Sequence, residues 1–120
     1  MAHARPYGDQ DFRMPIGNTR MIVARVTNRH GAPIDMDGAY VKWALLRDVN
    51  GEDKLIVKET GGMGITLGAS HFVVVLEPED TMDLEPGRYY HEGFMELDGD
   101  YSTACRGRVT LEPVALKKEV

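Results

Sequence analysis

Residues 78–113, PEDTMDLEPGRYYHEGFMELDGDYSTACRGRVTLEP, constrain this chain more than any other stretch. They read as a short helical crossover, a Pro-Gly corner, a long strand, a tight turn and a second long strand. Taking every second residue after Pro86-Gly87 separates two faces. Tyr89, His91, Gly93, Met95 and Leu97 carry no carboxylate and are expected to look inward, with Tyr90, Glu92, Phe94 and Glu96 half-solvated. The returning strand divides into Tyr101, Thr103, Cys105, Gly107, Val109 and Leu111 inward, against Ser102, Ala104, Arg106, Arg108 and Thr110 outward. Joining the inward sets pairs Tyr89 with Val109 and Leu97 with Tyr101. A slip by one residue would mix the faces, which burial penalises. The same register puts Glu92 opposite Arg106 and Tyr90 opposite Arg108, each pair worth roughly 0.2–1 kcal/mol. The loop is then Asp98-Gly99-Asp100, although a three-residue loop wants its left-handed residue last and Gly99 sits in the middle. A bulge beside an Asp-Gly turn fits equally well.

The approach to this hairpin, residues 83–89 (DLEPGRY), resembles the tyrosine corner of immunoglobulin-like sandwiches. The resemblance implies that Tyr89 hydrogen-bonds back to the preceding loop; an ordinary core tyrosine is the alternative. His91 stands where such domains often place a cysteine. With Cys105 as the one cysteine, no disulfide can join the sheets within the chain.

A length of 120 residues points to one domain, burying roughly two-thirds of its unfolded surface. Within it, residues 1–10 read as a flexible arm, 11–113 as a β-sandwich and 114–120 as a tail. Arg5 and Tyr7 are the anchors by which the arm would order on a neighbouring subunit. The single cysteine and the lack of an apolar leader argue against secretion by a signal peptide. No apolar run reaches the ~20 residues of a membrane span. A net charge of −5 with interspersed signs disfavours nucleic-acid binding. Thirteen glycines and six prolines suit the many turns of an all-β domain.

In chain order, residues 11–16 read as a short edge strand limited by Pro15. Residues 20–28 form a strand with Ile22, Ala24 and Val26 inward. Residues 39–47 form another, with Val41, Trp43 and Leu45 inward and Tyr40, Lys42, Ala44 and Leu46 outward. Trp43 occupies the place of the core tryptophan in immunoglobulin-like domains. A hairpin around Asn50-Gly51 leads to a strand over 54–58, a glycine loop leads to a short strand over 65–67, and residues 71–77 are apolar on both faces, the mark of a central or covered strand. One helical turn at 78–84 crosses between sheets. The expected fold is an all-β, immunoglobulin-like two-sheet antiparallel sandwich of seven to nine strands with one short helical crossover.

Chemistry-bearing patterns are sparse. The acidic turns Asp35-Met36-Asp37-Gly38 and Asp98-Gly99-Asp100 lack the longer spacing that gathers calcium's six to eight oxygens, and His3, His30, His71 and His91 share no zinc spacing. Cys105 and His91 lie on adjacent strands as two core residues rather than a nucleophile and its base. The glycines at 61–64 lack the Lys-Ser/Thr ending of a phosphate loop. No catalytic, cofactor or metal residue is therefore assigned, and an enzyme is not expected. The outward apolar residues carry more: Tyr40, Ala44 and Leu46, Tyr90 and Phe94, and Val73 or Val75. A contiguous patch of them would mark an interface.

Across most of its length the chain resembles phage and prophage proteins with an immunoglobulin-like sandwich, such as the N-terminal domains of baseplate upper proteins and tail- or fibre-associated modules. The residues that carry the resemblance are Asp11-Phe12 with Gly17-Asn18-Thr19, residues 21–27, Gly31-Ala32-Pro33-Ile34-Asp35 and Gly38-Ala39. Further on they are residues 64–68, 78–81, 84–89 and 106–111. The resemblance implies a structural, non-catalytic particle component acting through protein–protein contacts, in the virion or, during assembly, in the bacterial cytoplasm. Its partners would be other phage structural proteins or copies of itself, with no nucleic acid and no membrane. A carbohydrate-binding sandwich, using Tyr40, Tyr90 and Phe94, is the alternative.

Overall fold

A computed structural model describes residues 10–62 and 64–116. The expected anchors Arg5 and Tyr7 lie outside the described residues. The chain forms β1 (Phe12–Pro15), β2 (Arg20–Arg25), β3 (Tyr40–Leu46), β4 (Lys54–Glu59), β5 (Ile65–Leu67), β6 (His71–Leu76), α1 (Pro78–Thr81), β7 (Gly87–Leu97) and β8 (Asp100–Glu112). One sheet runs β1-β8-β7-β3-β4 and the other β2-β6-β5. This is an all-β two-sheet sandwich, with eight strands among the described residues and the expected crossover carried by α1. All pairings are antiparallel except β1 with β8, which is parallel.

The core lies between the sheets and is centred on Trp43, which is fully buried with Val41 and Leu45 beside it. Ile22 and Ala24 enter from β2, Val26 from just past its end, and Phe72, Val74 and Leu76 from β6, the middle strand of its sheet. The corner forms: Tyr89 Oη donates to the Glu85 carbonyl at 2.6 Å, with the ring buried. Glu77 and Asp80 close a reciprocal capping arrangement at the start of α1. The buried Thr81 hydroxyl accepts the Gly17 N–H at 2.8 Å, tying the crossover to the β1–β2 turn.

The hairpin departs from expectation along half its length. From Tyr89–Val109 to Gly93–Cys105 the pairing is the one that matches the apolar faces. Between Gly93 and Phe94 the register shifts, and thereafter Phe94 faces Thr103, Glu96 faces Tyr101 and Leu97 faces Asp100. Asp98 and Gly99 then make a two-residue turn, both with positive φ (53° and 85°). That geometry is the one Asp-Gly prefers, because its twist matches the flanking strands. The core demands one register and the turn demands another, one residue away. A bulge at Ala104 satisfies both. Its consequence corrects the expected faces: Tyr101 and Thr103 lie on the outer side, Ser102 opposes the buried Met95, and Ala104 is buried beside Cys105.

Candidate functional site

The outer face of the five-stranded sheet carries the aromatic residues. Tyr40 on β3 meets Phe94 on β7 edge-on, ring centroids 5.9 Å apart. Phe94 in turn lies nearly parallel to Tyr101 on β8, at 6.3 Å and 23° between planes. Three neighbouring strands thus present a continuous strip, with Tyr101 at its tip, 69% exposed. Carboxylates hold both hydroxyls. Tyr40 Oη donates to Glu59 at 2.7 Å, and this bond raises the Tyr40 phenol above its ordinary pKa. Hydrogen bonding to Glu96 raises Tyr101 in the same way. Both phenols are therefore neutral donors.

Beside the strip is a groove of about 270 Å³ floored by Ala44 and Leu46, walled by Phe94 and rimmed by Lys42, Lys54 and Glu92. Here the expected patch needs correction. Ala44 and Leu46 do face outward from the sheet, but they are only 9% and 8% exposed, so they form a floor rather than a contact surface. Tyr90 lies farther along the same face, opposite Arg108 and lining a separate cleft with Arg47 and Arg88. Val73 and Val75 sit on the other sheet, which faces the opposite way. The anticipated single patch is thus two surfaces. Tyr101, which alternation placed inward, belongs to the first. The signal that could have found it was the conflict between an Asp-Gly turn and the face-matching register.

The inner face of the same sheet holds the titratable core. Trp43 Nε1 donates to His91 Nδ1 at 3.0 Å. Indole nitrogen can only donate, so His91 Nδ1 accepts and its proton sits on Nε2. Nε2 then donates to the Gln10 carbonyl at 2.6 Å. The Gln10 side-chain amide continues to the Val23 carbonyl on β2 at 3.2 Å. This chain of hydrogen bonds links the two sheets. Gln10, expected as the last residue of the flexible arm, is instead part of the sandwich, because His91, Val23 and the Arg106 carbonyl all bond it. Burial pushes the His91 imidazole below its ordinary 6.5, against the opposing pull of the Gln10 bond and Asp11.

Cys105 faces Gly93 as expected, and is fully buried with its thiol pushed up to about 12 by desolvation. Both ring nitrogens of His91 are engaged by Trp43 and Gln10, so His91 does not address the thiol as a base. The acidic turns serve local geometry. Asp35 Oδ1 accepts the Asp37 N–H at 3.0 Å, and Asp98 and Gly99 supply the hairpin turn. No group of three or more metal-ligating side chains comes together among the described residues. Comparison with protein-family profiles and with curated proteins finds no match to the chain.

Proposed function

We propose that this protein is a structural, non-catalytic component of a phage or prophage particle. In this reading it is a tail-, baseplate- or fibre-associated module that works through protein–protein contacts made by the outer face of its five-stranded sheet. The particle assignment comes from the resemblance of its turn and strand signatures; the contact mode is supported by the Tyr40–Phe94–Tyr101 strip. Tyrosine and phenylalanine are enriched at the centres of interfaces because they bury much area with little side-chain entropy to lose. Here the strip is already ordered by ring contacts and by two carboxylates, so less order remains to be imposed on binding.

Two measurements test this. Mass spectrometry of purified particles from the source strain should find the chain in stoichiometric amount; its absence from every particle fraction overturns the structural role. Binding of the purified chain to those particles, or to their separated components, should be lost on Tyr101→Ala and on Phe94→Ala while the fold persists by circular dichroism.

The nearly parallel Phe94 and Tyr101 rings flanked by Glu96 also suit a sugar ring, stacked on its apolar face with hydroxyls donating to the carboxylate. A glycan array giving a saccharide signal that vanishes with Tyr101→Ala would favour that second reading.

A further inference from the structure

On and around the outer face of the five-stranded sheet, most cations are set against carboxylates. Arg13 lies 3.2 Å from Glu112, Arg47 lies 2.9 Å from Asp53, and the register puts Arg106 opposite Glu92. Two arginines break this pattern. Arg88 on β7 and Arg108 on β8 are exposed, and among the described residues neither has a carboxylate within ion-pair distance. The hairpin register fixes their relation. Tyr90 faces Arg108 and Arg88 faces Thr110, so the two arginines are diagonal neighbours across the ladder, roughly 7–8 Å apart. Like charges at that distance repel each other, and an anion between them relieves the repulsion.

Arg88 and Arg108 line two clefts at once. One, of about 240 Å³, they share with Arg47, Asp48, Val49 and Tyr90. The other, of about 430 Å³, they share with Asp11, Phe12 and Thr110. The carboxylates nearby are already occupied with backbone: Asp48 Oδ1 accepts the Asn50 N–H at 3.0 Å, and Asp11 Oδ1 accepts the Arg108 N–H at 2.8 Å. Arg47 meets Asp53 through Nε, which leaves the terminal nitrogens of its fork for another acceptor. The smaller cleft thus sets three arginines against one aspartate, on a chain whose net charge is −5. Val49, 66% exposed, gives it an apolar lip.

We propose that these joined clefts bind an acidic, extended segment of a partner protein, with alternate carboxylates received by Arg88 and Arg108. The inference rests on the reading that this sheet face meets a protein, and it names that partner's chemistry. A guanidinium fork matches a carboxylate with two parallel hydrogen bonds. In an extended segment every second side chain points the same way, at a spacing of roughly 6.6–6.8 Å, close to the diagonal separation of the two arginines. A single small oxyanion fills one cleft and leaves the other; a segment with acids at alternate positions engages both. A nucleic acid carries its phosphates well beyond the two clefts, where the net negative charge of the chain opposes it.

Fluorescence anisotropy with a rhodamine-labelled peptide of alternating glutamate and threonine tests the site. Binding should saturate, weaken as salt is raised and be absent for the same peptide with glutamine in place of glutamate. Arg88→Gln/Arg108→Gln should weaken it about tenfold or more with an unchanged circular dichroism spectrum. Arg88→Lys/Arg108→Lys keeps the charge without the fork and should recover part of the loss. Arg25→Gln, on the other sheet, should change nothing. The proposal is overturned by lack of saturable binding, by an equal loss with Arg25→Gln, or by full displacement with inorganic phosphate at matched ionic strength. Binding to purified particles separates this inference from the reading beneath it. Particle binding that survives Arg88→Gln/Arg108→Gln overturns the acidic partner and leaves the particle role. Arginine-dependent peptide binding by a chain that binds no particle supports the site and overturns the role.

Discussion

The two faces of the five-stranded sheet are built from the same three strands, yet they tolerate change very differently. On the inner face nothing has room to move. A Cβ added at Gly93 would lie 2.7 Å from Cys105 Sγ and 3.4 Å from Trp43 Cδ1, and one at Gly107 would lie 2.5 Å from the Gln10 carbonyl group. Trp43, His91 and Gln10 each satisfy another's buried polar group, so the loss of one strands its neighbour. On the outer face Tyr40, Phe94 and Tyr101 touch one another and water. The inner face determines whether the sandwich forms, and the outer face is free to determine what it meets.

The comparison breaks most visibly at Trp43. Trp43→Ala removes the largest buried side chain and leaves His91 Nδ1 without its donor. The expected loss is about 3–5 kcal/mol, read as a shift of the urea midpoint, and it would unfold a marginal domain. Gly107→Ala comes next. The obstacle is backbone rather than a flexible side-chain tip, so Gln10 must be displaced from His91 at a cost of about 1–3 kcal/mol.

A smaller effect separates the faces by pH. Burial holds the folded His91 imidazole below 6.5, so the unfolded chain takes up this proton first as pH falls. The contribution is complete above 6.5 and is lost as pH drops through the depressed folded value. Thermal midpoints should fall from neutral to mildly acidic pH. His91→Gln should be less stable throughout but lack this component of the slope; an unchanged slope in that variant would remove His91 from the account. The smallest effect on stability belongs to Tyr101→Ala, within about 0.5 kcal/mol, because the ring is mostly exposed. Under the proposed particle role, its expected consequence is lost binding to purified particles or their components. If Tyr101→Ala destabilised the fold as much as Gly107→Ala, the two faces would not be the separate systems described.

The legibility of the candidate site follows the same division. Tyr40 and Phe94 were readable as outward residues because alternation along an unbroken strand is a local property. Ala44 and Leu46 were readable in direction but not in exposure, since the groove walls that cover them come from β7 and from the β3–β4 connection. Val73 and Val75 were readable as outward but not as belonging to the opposite surface, because alternation within a strand does not reveal which sheet the strand joins.

The sequence by itself determined the local preferences. It set the inward residues of β2 and β3 and the single helical turn after Pro78, and it offered the corner at Tyr89 and an Asp-Gly turn at residues 98–99 as one of two readings each. Each rests on interactions within a few residues or on a strict period of two. Only the tertiary structure decided how conflicting preferences were reconciled. The register of the core and the geometry of the turn are each sound alone and differ by one residue, and no local rule says where the difference is absorbed. Packing did so at Ala104, where two adjacent small residues, Ala104 and Cys105, could both be buried beside Gly93 and Trp43. That choice turned Tyr101 outward. Long-range contact likewise made Gln10, a polar residue in a polar stretch, the link between the sheets, because Gly107 and His91 left a space that its backbone fits.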